Sequence, residues 1–85
     1  MTFLLPKTVT QENALLLEKE GLSVVPLMST VDCSALQDFD STVLTVFLSW
    51  QKKIAADHQK ITFIQPSEKL KVLAGVYGVS ELLGF

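Results

Sequence analysis

Few residues in this chain of 85 are of types that do chemistry. Asp32, Asp38 and Asp40 fall close together. Cys33 and Ser34 follow the first of them, and Ser41 and Thr42 follow the last. Cys33 is the one cysteine and His58 the one histidine. A serine or cysteine nucleophile needs a base held beside it, and no motif pairs His58 with either. A zinc site needs four ligands at set spacings, which one cysteine and one histidine do not furnish. The three aspartates lack the spacing of a calcium loop, and loop solvation and helix capping account for them. Gly21, Gly75, Gly78 and Gly84 are too scattered to cradle a phosphate. The sequence therefore predicts no enzyme, no metal and no cofactor.

What remains is the run Asp40-Ser41-Thr42, just ahead of a strongly periodic segment. Two readings fit it. In the first, any of the three caps a helix, because the first N–H groups of a helix need acceptors, and a cap contributes about 1 kcal/mol. In the second, Ser41 or Thr42 accepts a phosphoryl group. That would add about −1.5 to −2 charges at a helix end that tolerates them and would obstruct a docked partner.

The elements that must position this run alternate strand and helix. Phe3-Leu4-Leu5 reads as a short strand stopped by Pro6. Thr10 is a candidate cap for a helix from Gln11 to about Glu20, closed by Gly21. Leu22 to Val25 reads as a short extended piece, and Leu27 to Val31 as a strand leading into Asp32. Ser34 to Phe39 reads as a loop. The central helix then runs from the Asp40-Ser41-Thr42 cap to about Asp57 or His58. Lys60 to Ile64 is the clearest strand. Pro66-Ser67-Glu68 opens a helix whose residues Leu70, Leu73, Ala74 and Tyr77 form one buried stripe, and Gly78 ends it. Ser80-Glu81-Leu82-Leu83 reads as one further helical turn. This alternation predicts an α/β fold with a small sheet of about four strands, mostly parallel. Helices should lie mainly on one face, since so short a chain can hardly cover two.

The central helix carries the most information. At about 100° per residue, Val43, Val46, Phe47, Trp50 and Ile54 share one arc. Leu44, Leu48 and Ala55 share a neighbouring arc beside Gln51. Together they cover about 200°, twice what docking on a sheet demands. Either both arcs are buried within the chain, or the Leu44 and Leu48 side is exposed and meets a partner.

Composition narrows the class. Apolar residues make up 48% of the chain, enough to fill a core, and 85 residues make one domain, 1–85. All seven basic residues are lysines, the net charge is −2 and the isoelectric point is near 5.2. Without arginine forks or a basic stripe, nucleic acid is not an expected partner. A lone cysteine excludes an intramolecular disulfide framework. Met1 to Lys7 lacks the basic region of a signal peptide, and Val43 to Trp50 is far short of the roughly 20 residues that span a bilayer. A cytoplasmic protein is expected. Homodimerisation through a sheet edge or the apolar helix face stays open.

The segment Asp32-Cys33-Ser34-Ala35-Leu36-Gln37-Asp38-Phe39-Asp40-Ser41-Thr42-Val43-Leu44 resembles the signature of STAS domains, shared by sulfate transporters and anti-sigma factor antagonists. Ile61 to Ile64, Pro66, Leu70 to Leu73, Tyr77-Gly78-Val79 and Leu82-Leu83 follow the same family order, so the likeness covers residues 10 to 83. The central helix, with its Leu-Ser-Trp-Gln-Lys-Lys run, is most similar to the MlaB-type members. Those are subunits of the ABC transporter that maintains outer-membrane lipid asymmetry. The resemblance implies a STAS-like fold and a non-catalytic cytoplasmic subunit that binds the transporter's ATPase and meets the membrane only through that complex. It places Ser41 at the ATPase contact. The expected partner-binding residues are then Asp40, Ser41, Thr42, Leu44, Leu48 and Lys52. In anti-sigma factor antagonists the serine of this loop is a kinase target. That implies an alternative: a regulatory protein switched at Ser41, or Thr42, by an anti-sigma kinase. Val43 stands where many antagonists carry glycine, which weighs against the kinase.

Overall fold

The structure, a computed structural model, describes residues 2–24, 29–56 and 60–85. Along the chain its elements are β1 (Thr2–Leu4), β2 (Thr8–Val9), α1 (Ala14–Val24), β3 (Thr30–Asp32), β4 (Asp38–Phe39), α2 (Thr42–Ala55), β5 (Thr62–Ile64), α3 (Glu68–Val76) and α4 (Ser80–Leu83). Strands β1, β3 and β5 form a parallel sheet in that order, and β2 and β4 form a second, two-stranded parallel sheet. The chain is thus α/β with a mostly parallel arrangement, as the alternation predicted, but its strands are shorter and divided between two sheets.

Register decides which face of the main sheet is covered. Phe3, Val31 and Phe63 stand side by side across its strands. Successive residues of a strand point to opposite faces. This row faces the helices: Phe3 meets Trp50 edge-on at 5.1 Å between ring centroids, and Phe63 meets Phe47 at 4.7 Å. The rows on either side, Thr2-Thr30-Thr62 and Leu4-Asp32-Ile64, are exposed or half-buried. One face of the sheet therefore carries the core, and the other meets solvent.

Helix α2 is the axis of that core, with Val43, Val46, Phe47, Trp50 and Ile54 all buried. Helix α1 lies against it. The Trp50 indole N–H donates to the Glu18 carbonyl at 3.1 Å, and the Ser49 hydroxyl donates to the Glu18 carboxylate at 2.8 Å. Here the expected boundary moves. Gly21 does not close α1, which continues to Val24 through the positions read as extended. A Cβ at Gly21 would fall inside the Trp50 indole, so glycine serves close packing between helices and not termination. The helix starts at Ala14 and not at Gln11, so Thr10 caps the turn that leads into it and not the helix itself. The Thr10 hydroxyl accepts from the Glu12 N–H at 3.4 Å, and the Asn13 side-chain oxygen accepts from the Thr10 N–H at 2.8 Å.

Strand β3 starts at Thr30, with the expected Leu27 and Met28 outside the described residues. Helix α2 ends at Ala55, and Asp57 and His58 also lie outside them. Ser67 caps α3, its hydroxyl accepting from the Leu70 N–H at 3.1 Å. Leu70 and Ala74 are buried as expected and Leu73 is half-buried, but Tyr77 is 58% exposed. The stripe fails there because the helix ends at Val76, so Tyr77 no longer follows the helical period inward. Gly78, at φ +70°, takes the left-handed conformation that turns the chain into α4.

Candidate functional site

The small β2–β4 sheet builds the site; the sequence reading took β4 as loop and assigned nothing at β2. Pairing Thr8 with Asp38 and Val9 with Phe39 lays the starts of α1 and α2 side by side. Asp40 sits between them. One carboxylate oxygen accepts from the Thr42 N–H at 2.9 Å and from the Thr42 hydroxyl. The other accepts from the Gln11 N–H at 3.2 Å. The Asp40 N–H donates to the Val9 carbonyl at 3.2 Å, and its carbonyl accepts from the Val43 N–H at 3.1 Å. Asp40 therefore caps α2 and ties it to the turn that leads into α1 with a single side chain. The Thr42 hydroxyl and N–H, with help from the Gln11 N–H, hold the Asp40 carboxyl below its ordinary pKa.

The two hydroxyls of the run have separate fates. Thr42 spends its proton on Asp40. Ser41, half-buried with φ −63° and ψ −15°, makes no side-chain capping bond, and its hydroxyl has no hydrogen-bond partner among the described residues. The capping reading thus holds for Asp40 and fails for Ser41, whose hydroxyl remains open to another molecule.

Leu44 requires a correction. It is 3% exposed and belongs to the core, so it cannot supply the outward apolar contact expected of it. The reason lies one helical turn pair along the same arc. Gln51 donates to the Leu82 carbonyl at 3.2 Å and accepts from the Ile61 N–H at 3.2 Å, so α4 and the entry to β5 cover this side of α2. Leu48, at the rim of that cover, is half-buried, and Lys52 is exposed. Ser41, Leu48 and Lys52 fall on one stripe of α2 together with Thr45, which is also exposed and which sequence reasoning did not single out. The spacing of 4, 3 and 4 between those positions was legible; that α4 stops short of this stripe was not.

At its N-terminal end the stripe adjoins an open groove of about 220 Å³ lined by Phe39, Asp40, Lys69, Val72, Leu73 and Val76. Val72 is 59% and Val76 77% exposed. They stand four residues apart on α3, off the buried Leu70 and Ala74 face. That spacing is in the sequence, but two valines beside a core stripe carry no mark of exposure. The Lys69 ammonium lies 5.1 Å from the centre of the Phe39 ring.

Cys33 is buried among apolar groups and its thiol is pushed up to about 12, chiefly by burial and further by Asp32, which leaves it unreactive at neutral pH. Among the described residues no three of His, Cys, Asp and Glu are grouped to hold a metal ion. No helix of the described residues is long and apolar enough to cross a membrane.

The geometry is that of a small parallel α/β fold with an aspartate-capped central helix, a serine hydroxyl without a partner among the described residues, and an open apolar groove. The chain belongs to the STAS domain family: the family model described as "Mlab, STAS domain" matches residues 8–84. STAS domains are in general non-catalytic regulatory or interaction domains. No curated protein matches the chain.

Proposed function

We propose that this protein is a non-catalytic, cytoplasmic subunit that docks on the ATPase of an ABC system moving phospholipid to maintain outer-membrane lipid asymmetry. The observation that carries the reading is the Ser41 hydroxyl, without a hydrogen-bond partner among the described residues, at the head of a stripe in which Thr45 and Lys52 are exposed and Ser41 and Leu48 half-buried. Asp40 and Thr42 are positioning residues. They fix the start of α2 so that Ser41 is presented at a rigid helix end. Leu48 supplies apolar contact at the rim, and Lys52 supplies a charge that can steer association. Leu44 supports the stripe from within and makes no contact of its own. The family match and the absence of convergent ionisable groups among the described residues both favour a binding role.

Co-purification with the ATPase tests this. Ser41→Glu puts a charge at the contact, and Leu48→Asp puts one on its rim. Each is expected to leave the circular-dichroism spectrum unchanged and to lower recovery of the complex by about tenfold or more. Full recovery with both variants would refute the site.

The same free hydroxyl supports a second reading, an anti-sigma factor antagonist-like switch. Ser41 can accept a phosphoryl group from ATP without giving up a side-chain hydrogen bond, whereas Thr42 would have to release Asp40. Incubation with an anti-sigma kinase and ATP, followed by intact mass, should then show a gain of about 80 Da that Ser41→Ala abolishes and Thr42→Val retains. An unchanged mass removes this reading.

A further inference from the structure

We infer that the groove between Phe39 and α3 receives an amphipathic helix of another polypeptide, one that carries a carboxylate to Lys69. The inference deepens the docking reading, because the groove opens at Asp40 beside Ser41. It names what enters there.

Size comes first. Pockets for small molecules usually run from about 300 to 1,000 Å³ and enclose their ligand. At about 220 Å³, and open to solvent, this groove is scaled for a few side chains. Its shape comes second. Val72 and Val76 project four residues apart along one helix, with the half-buried Leu73 between them as floor and the Phe39 ring as the facing wall. Ridges of this spacing receive a second helix, whose own side chains recur at three and four residues.

Charge then selects the occupant. Two ionic groups line the groove, and their situations differ. Asp40 keeps its charge, but both its oxygens are occupied by donors of the same chain, from Thr42 and from the Gln11 N–H. Lys69 has only the face of Phe39, with no ion pair to it among the described residues. Next to the apolar walls it is the one cation of the lining, and its complement is an anion. A carboxylate about one turn from the apolar anchors of an incoming helix would reach Lys69 while those anchors cover Val72 and Val76.

The test uses a synthetic amphipathic peptide of about 15 residues, with two leucines four apart and a glutamate one turn beyond on the same face. It is titrated into the intact, isotope-labelled protein by NMR. Saturable shifts are expected at Phe39, Val72, Leu73 and Val76. Val76→Asp should remove them. Lys69→Glu should weaken binding by about tenfold, and a lysine-for-glutamate peptide should restore it. Both residues are exposed, so neither variant threatens the fold. No saturable shift, shifts elsewhere on the surface, or affinity indifferent to the charge swap would each overturn the inference. Loss of the ATPase complex in Ser41→Glu and Leu48→Asp is read separately. The docking reading and the groove's occupant therefore fail by different measurements.

Discussion

Asp40 shows how much one side chain can fix. Three donors converge on its carboxylate, two from Thr42 and one from Gln11, and all prefer it ionised. Asp32 is held low in the same manner, first by the Ser34 N–H at 2.8 Å and then by the Ser34 side chain. A carboxyl whose folded pKa is depressed contributes stability above its unfolded value, near 3.8, and loses it as pH falls through the folded value. The urea midpoint should therefore be level from neutral pH to about pH 5 and decline below about pH 4. Asp40→Asn should lower the midpoint at pH 7 and make the acid decline shallower. An acid limb as steep as that of the parent protein would show that Asp40 is not the group responsible.

At the scale of elements, the contact between α1 and α2 sets the core. Gly21 and Trp50 meet with no room for a methyl group, and the Glu18 carbonyl receives the indole N–H. Gly21→Ala would gain helix propensity, about 1 kcal/mol at most. It would also force Trp50 or the whole of α1 to move, and overpacking of this kind costs about 3 kcal/mol. The overlap lies with ring atoms of a buried indole and not with the end of a flexible chain, so the loss should win. The melting temperature should fall by about 10–20 °C, and the Trp50 fluorescence should change. A rise in melting temperature would mean that α1 is free to shift.

For the molecule as a whole, stability is small enough that core and surface positions separate cleanly. A domain of 85 residues holds about 4–13 kcal/mol. Leu44→Ala opens a cavity in the core and should cost about 2–5 kcal/mol, a large part of that total. Leu48→Ala, at the rim, should cost about 1 kcal/mol and act mainly on partner binding. Urea titration of both variants measures the contrast. Equal losses would place Leu48 in the core and remove it from the stripe.

The sequence by itself determined the alternation of the main strands and helices, the sense of the sheet and the position of the central helix, but not the β2–β4 pair. Those follow from local pattern: apolar period, the cap at Ser67, and left-handed glycine at Gly78. It also marked Asp40-Ser41-Thr42 as the place where chemistry concentrates. Tertiary structure alone decided which of the three was spent, because Asp40 finds Gln11 only once β2 has paired with β4. It decided that Leu44 is buried and Leu48 only half-buried, although both lie on one arc. It decided too that Gly21 belongs inside a helix, beneath a ring 29 residues away in the chain, and that Val72 and Val76 face outward. Periodicity reports that a face is apolar. What covers that face depends on neighbours distant in sequence, and no local window contains them.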